Sequence, residues 1–66
     1  MKLKVNGKNE EAKDGITLLA LLSDRKTDPA KTVATVNGNI VAAKDFVSVV
    51  LKDGDSVELF SFVAGG

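Results

Sequence analysis

The chain has 66 residues, of which 44% are hydrophobic, and its nine basic side chains balance nine acidic ones. This length and hydrophobic content indicate one small domain with a modest core rather than a disordered chain, and the neutral charge argues against a nucleic-acid partner. Cysteine and histidine are absent, so the chain has no thiolate and lacks the side chain that most often serves as general base or metal ligand.

The first half of the chain predicts a hairpin and a short helix. Residues 2–5 alternate polar and apolar, Asn6-Gly7 is a favoured two-residue hairpin turn, and the polar residues 8–13 return as an exposed edge strand. Thr17 is a plausible helix N-cap, because its hydroxyl can accept from a free backbone N–H of the first turn. The leucines that follow have the spacing of one helix face: Leu18, Leu19, Leu21 and Leu22.

The second half predicts another hairpin and a last strand. Thr32–Val36 is rich in β-branched residues, Asn37-Gly38 repeats the hairpin turn, and a short return strand follows at residues 40–41. After an irregular segment in which Phe46 is expected to pack inward, residues 56–62 alternate as the last strand.

The order of these elements predicts the fold. Two hairpins around one helix cannot form a purely parallel sheet, so we expect a single α+β domain over residues 1–66, with a mixed sheet of four to five strands around one helix. This is the β-grasp (ubiquitin-like) arrangement, in which the first and last strands lie side by side and parallel at the centre. The expected core consists of Leu3, Val5, Leu18, Leu21, Leu22, Val36, Ile40, Val57 and Leu59.

Residue groups typical of catalysis are missing. The sequence has no serine–histidine pair, no cluster of metal ligands and no phosphate-binding loop, so we expect neither enzymatic activity nor a bound metal. Nothing resembles a signal peptide, and no apolar run approaches the ~20 residues of a membrane span. We therefore expect a cytoplasmic protein, with no membrane partner and monomeric when free.

The last strand offers a candidate docking surface. Strict alternation places Val57 and Leu59 on one face and Phe60 and Phe62 on the other. If the first pair faces the helix, the two aromatic side chains lie on the open face of the sheet. Exposed aromatics at that position would form a patch for a partner protein.

Two glycines stand at the end of the sequence. Gly65 and Gly66 have no Cβ and bury no side chain, so residues of about 62–66 are expected to form a flexible tail. Such a tail presents a carboxylate on a thin stem that can enter a narrow slot. A frayed end or an expression remnant gives the same pattern, and the glycines alone do not separate these interpretations.

Over its whole length the chain resembles the ThiS family, the sulfur carrier proteins of thiamine (thiazole) biosynthesis, within the ubiquitin-like ThiS/MoaD group. The matching segments are Asn6-Gly7, residues 14–22, 36–41 and 51–58, and Phe60-Ser61-Phe62-Val63-Ala64-Gly65-Gly66. One segment departs from the family pattern, which often has proline, a basic residue and tryptophan after the second hairpin. This chain has Ala42-Ala43-Lys44-Asp45-Phe46 there, so Phe46 would have to fill the place of the aromatic side chain.

The resemblance implies chemistry at the C-terminus. A ThiF-type enzyme would use MgATP to adenylate the Gly66 carboxylate, a persulfide on a sulfur-donor protein would convert it to a thiocarboxylate, and a ThiG-type thiazole synthase would take the sulfur. The residues implied are Gly66 as the modified site, Val63, Ala64 and Gly65 as the recognised tail, and Phe60 and Phe62 as docking positions for the activating enzyme. The chain itself would bind no permanent cofactor.

Other functions fit the same pattern. The MoaD family, whose members carry sulfur for molybdopterin and are usually longer, shares the fold and the Val-Ala-Gly-Gly ending. A carrier could also feed another acceptor, such as an amino acid. A ubiquitin-like modifier would instead join Gly66 to lysines through an isopeptide bond, and a plain interaction module would have no terminal chemistry. The sequence leaves these alternatives open.

Overall fold

The computed structural model describes residues 1–61, in which one helix packs against a five-stranded mixed sheet. The elements are β1 (Lys2–Val5), β2 (Lys8–Glu11), α1 (Leu18–Asp24), β3 (Thr32–Val36), β4 (Asn39–Val41) and β5 (Ser56–Ser61), with short 3-10 turns at Pro29–Lys31 and Ala43–Asp45. The order across the sheet is β2-β1-β5-β3-β4. The predicted β-grasp fold is therefore confirmed.

The last strand, β5, lies at the centre of the sheet. It runs parallel to β1, where Val5 lies opposite Val57, and antiparallel to β3, where Thr32 lies opposite Ser61. The outer strands β2 and β4 pair antiparallel with β1 and β3. The first and last strands therefore lie side by side, as the order of elements predicts.

Both hairpins turn as their sequences predict. Asn6 and Gly7 have φ values of 51° and 82°, and Asn37 and Gly38 have values of 52° and 85°. Positive φ at both central positions is the requirement of a type I′ turn, whose twist matches that of the strands it joins. β2 ends at Glu11, earlier than expected, because its partner β1 begins at the position opposite.

The helix begins where the sequence predicts. Thr17 is extended, with φ −86° and ψ 160°, and its Oγ1 accepts a hydrogen bond from the Ala20 N–H at 3.1 Å, as an N-cap does. The buried side chains of α1 are Leu18, Leu21 and Leu22, so the apolar face of the helix lies on the sheet. Within residues 1–61, no helix is both long and apolar enough to cross a membrane.

One core joins the helix, the sheet and the segment between β4 and β5. Its members are Leu3, Val5, Leu18, Leu21, Leu22, Ala34, Phe46, Leu51 and Val57. Phe46 packs inward as predicted, with 1% of its surface exposed. Val36 and Leu59, also expected in the core, are partly buried and pack against it.

The prediction that Ile40 belongs to the core is wrong. Its side chain is 76% exposed. The β3–β4 register places Ile40 opposite Thr35, whose neighbour Ala34 points into the core. Because successive side chains of a strand face opposite sides of the sheet, Thr35 and Ile40 lie on the face away from the helix.

Candidate functional site

The candidate site begins where β5 ends. Ser61, the last described residue, pairs with Thr32 at the start of β3. The predicted site residues that lie outside the described residues are Phe62, Val63, Ala64, Gly65 and Gly66. Phe60 is the predicted site residue that the structure places, and β5 fixes its orientation.

The side chains of β5 alternate between core and solvent as predicted. Val57 is buried and Leu59 packs against the core, whereas Glu58 and Phe60 are exposed. Phe60 leaves 54% of its surface accessible to solvent. The predicted exposure of Phe60 is confirmed, and its docking role stays a prediction.

Phe60 is part of a larger apolar surface. The β3–β5 register places Val33 directly opposite Phe60, and Ile40 lies opposite Thr35 on the same face. Val33 and Ile40 are 39% and 76% exposed. We refer to Val33, Ile40 and Phe60 as the open-face patch. Exposed apolar side chains that share one face are typical of a protein-binding surface.

Sequence reasoning missed Val33 and assigned Ile40 to the wrong face. Each lies in a short strand that has apolar or β-branched residues on both of its faces, so the residue types do not show which face is buried. The pairing of β3 with β5 and β4 supplies that information. It joins segments far apart in the chain, and no local signal in the sequence indicates it.

Polar side chains border the open-face patch. Glu58 precedes Phe60 on the same face, and its Oε1 accepts a hydrogen bond from Thr35 Oγ1 at 3.4 Å. On the β1 side of this face, Lys2 and Lys4 are exposed. The face therefore changes from apolar at the end of β5 to charged at β1, like an interface with a polar rim.

A concavity lies beside the start of α1. It has a volume of about 370 Å³, and its lining includes Lys13, Asp14, Thr17 and Asp24. The three charged residues are exposed. Among residues 1–61, acidic side chains form no group of three that could hold a metal ion. We assign this concavity no role in the candidate site.

The sequence matches one protein-family model and two curated proteins. The ThiS family model matches residues 3–66. Two curated thiazole synthases, from Paramagnetospirillum magneticum and Magnetococcus marinus, are each 33% identical to the chain over all 66 of its residues. The match covers 20% of each of these relatives, so the chain spans about one fifth of their length.

Solved structures give the same result for the fold. The crystal structure of the thiamine biosynthesis protein ThiS from Geobacter metallireducens has a TM-score of 0.85 at 32% identity, with 100% of both chains covered. The NMR structure of a thiamine biosynthesis protein from the same organism has a TM-score of 0.81 at 33% identity, covering 100% of this chain and 88% of that one. Since the family model matches almost the whole sequence and the fold agrees with that of a ThiS protein, the chain belongs to the ThiS family.

Proposed function

We propose that the protein is a sulfur carrier of thiamine biosynthesis, and that the Gly66 carboxylate is the group that carries sulfur. The main support for the proposal is the match to the ThiS family, which extends from residue 3 to residue 66 and therefore includes Gly65 and Gly66. The similarity of fold to ThiS of Geobacter metallireducens supports the same function. In this proposal the chain is a cosubstrate of other enzymes rather than a catalyst.

The proposed chemistry takes place on the terminal carboxylate. A carboxylate is a poor acyl donor, because its oxygen is a poor leaving group. On a ThiF-type enzyme, a Gly66 carboxylate oxygen attacks the α-phosphorus of MgATP and pyrophosphate leaves. A protein persulfide attacks the carbonyl carbon of the acyl-adenylate and AMP leaves. A thiol then attacks the donor protein's sulfur in the resulting acyl disulfide, which releases the thiocarboxylate and leaves a disulfide between the thiol and the donor protein.

The tail and the compartment follow from this chemistry. Val63, Ala64 and Gly65 are the segment that we propose the activating enzyme recognises, and Gly65 lets a partner backbone approach closely because it has no Cβ. MgATP is a substrate of the partner, and this chain holds no permanent cofactor. We place the reaction in the cytoplasm, where ATP is supplied.

A thiazole synthase is the partner that we propose receives the sulfur. The curated thiazole synthases contain a segment that matches this whole chain within a protein about five times longer. Covalent linkage gives two modules a high effective concentration for each other. We propose that this chain contacts a ThiG-type synthase in the same way and passes its sulfur to it.

We propose that the open-face patch docks the activating enzyme, and that Phe60 is its anchor. Phe60→Ala is expected to weaken binding by about 2 kcal/mol or more, because a buried aromatic anchor at an interface centre contributes that much. Affinity is measured by titration calorimetry with the ThiF-type enzyme. Val47→Ala is the matched control, since Val47 is 62% exposed and lies outside the sheet. Wild-type affinity in Phe60→Ala would show that Phe60 is not the anchor, and wild-type affinity in Phe62→Ala as well would show that neither predicted aromatic side chain docks the enzyme.

The proposed function is tested by the intact mass of the chain after incubation with MgATP, a ThiF-type enzyme and a persulfide donor. We expect a gain equal to the mass difference between sulfur and oxygen, and no gain in a chain without Gly66. A covalent product with lysine-containing proteins would instead identify a ubiquitin-like modifier. An unchanged mass would contradict the carrier proposal. Sulfur transfer to a molybdopterin synthase rather than to a thiazole synthase would identify a MoaD-like carrier.

A further inference from the structure

β5 is supported unequally by its two neighbours. It pairs with β3 at five positions, from Val36 opposite Val57 to Thr32 opposite Ser61. On its other side it pairs with β1 at only two, and the last of these places Val5 opposite Val57. Beyond Val57, β1 has already turned away at Asn6-Gly7. The end of β5 that leads to the proposed tail therefore has a strand partner on one side only, among the described residues.

The side chain of Asn6 replaces the missing partner. The Asn6 backbone N–H donates to the Val57 carbonyl at 2.9 Å, and the Asn6 Oδ1 accepts from the Leu59 N–H at 2.8 Å. The amide oxygen thus satisfies the next N–H that faces β1, as the following residue of a longer strand would. Leu59 is held by this bond on one edge while its side chain packs against the core.

The second Asn-Gly turn makes a similar contact at the opposite end of β5. The Asn37 Oδ1 accepts from the Ser56 N–H at 2.9 Å, and the Asn37 Nδ2 donates to Asp55 Oδ1 at 3.0 Å. A type I′ turn needs only residues that tolerate positive φ, and glycine satisfies that requirement. Asparagine also tolerates positive φ and so suits the turn, and its side chain adds a hydrogen bond to the backbone of β5 that glycine cannot make. Asn37 holds the start of the strand, and Asn6 holds it near its end.

We infer that Asn6 is a positioning residue for the Gly66 carboxylate, acting through Leu59. Its hydrogen bond keeps β5 ordered as far as Leu59, so that Phe60 stays on the open face and the tail starts from a fixed point. This inference rests on the proposed function, because it concerns delivery of the carboxylate to the activating enzyme. Asn6 acts on the position of β5 and does not contact the reacting atoms.

The expected effect is on binding rather than on chemistry. Without the Asn6 oxygen, the end of β5 is held by β3 alone, and the activating enzyme must order it when it binds. Ordering a segment on binding lowers affinity, but the bound complex has the same geometry. Loss of Asn6 should therefore raise KM and leave kcat unchanged.

The experiment compares two changes at Asn6 with one at Asn37. Asn6→Gly keeps a residue suited to positive φ and removes the acceptor, whereas Asn6→Asp keeps an acceptor oxygen in the same turn. Asn37→Gly removes the side-chain bonds to Ser56 and Asp55 and leaves the Leu59 contact in place. It is the matched control for lost stability. The measurements are amide hydrogen exchange at Leu59 and the KM and kcat of ATP–pyrophosphate exchange with a ThiF-type enzyme.

We expect Asn6→Gly to speed exchange of the Leu59 amide and to raise KM about fivefold, the factor set by one net hydrogen bond. Asn6→Asp and Asn37→Gly should keep the wild-type KM. Equal KM values for wild type and Asn6→Gly would overturn the inference about Asn6. An equal rise in KM for Asn6→Gly and Asn37→Gly would overturn it too, and neither result would contradict the proposed function. A wild-type chain that supports no pyrophosphate exchange would overturn the proposed function and this inference with it.

Discussion

A chain with one alanine added after Gly66 is expected to lose at least about a hundredfold in ATP–pyrophosphate exchange, because misplacing a reacting group by ~1 Å costs on that order. The extra residue keeps a carboxylate but moves it by ~3.3–3.6 Å. It also introduces a Cβ where the proposed slot admits only glycine. The change should therefore affect the proposed chemistry far more than the affinity of the docking surface.

Two further changes to the tail probe the same requirement. Deletion of Gly66 moves the carboxylate back by about one residue, ~3.3–3.6 Å, and should reduce exchange as strongly. Gly65→Val keeps the length of the tail but adds a bulky β-branched side chain and restricts the backbone. It should therefore also reduce ATP–pyrophosphate exchange. Together the three variants distinguish the effect of tail length on exchange from the effect of side-chain bulk in the tail.

Thermal melting is the control for all three tail variants. The core lies within residues 3–57 and includes none of the altered positions, so we expect the melting temperature to stay within a degree or two of wild type. The mass of the extended chain must be checked after the assay, to establish that the added alanine is still present. Wild-type exchange by an untrimmed extended chain would contradict the carrier proposal.

Phe46→Ala is expected to lower the free energy of unfolding by about 3–5 kcal/mol, the cost of removing a fully buried phenylalanine. Phe46 is 1% exposed and is among the largest fully buried side chains. A domain of this size is stable by only about 3–10 kcal/mol, at ~0.05–0.15 kcal/mol per residue. The substitution should therefore remove a large part of the stability.

The backbone around Phe46 also supports the start of the helix. The Phe46 carbonyl accepts a hydrogen bond from the Leu19 N–H, and the Val49 carbonyl accepts from the Leu18 N–H, both at 2.9 Å. These are N–H groups of the first helical turn, which have no partner within a helix. Phe46, in the segment that departs from the family pattern, thus fills the core and, together with Val49, completes the start of α1.

The measurement is urea denaturation of wild type, Phe46→Ala and two comparison variants. Phe46→Leu keeps most of the apolar volume and should cost less. Val47→Ala alters the adjacent side chain, which is 62% exposed, and should change stability by no more than about 0.5 kcal/mol. An unfolding free energy for Phe46→Ala equal to that of Val47→Ala would show that Phe46 does not stabilise the core.

The sequence by itself determined the local elements and, through their order, the fold. Both Asn-Gly turns, the Thr17 cap and the spacing of the leucines act over a few residues, so they can be recognised without tertiary structure. Alternation along the last strand was enough to predict the exposure of Phe60. The resemblance of the whole sequence also indicates the ThiS family without reference to tertiary structure.

Only the tertiary structure decided which strand residues share a face and which contacts hold β5. The exposure of Ile40 and the pairing of Val33 with Phe60 depend on register, and a shift of one residue moves every side chain of a strand to the other face. The bond from Leu59 to Asn6 joins residues 53 positions apart. An Asn-Gly dipeptide indicates a turn, but it does not show which N–H donates to the side-chain oxygen of the asparagine. That donor lies on a distant strand, and only the tertiary structure brings it close.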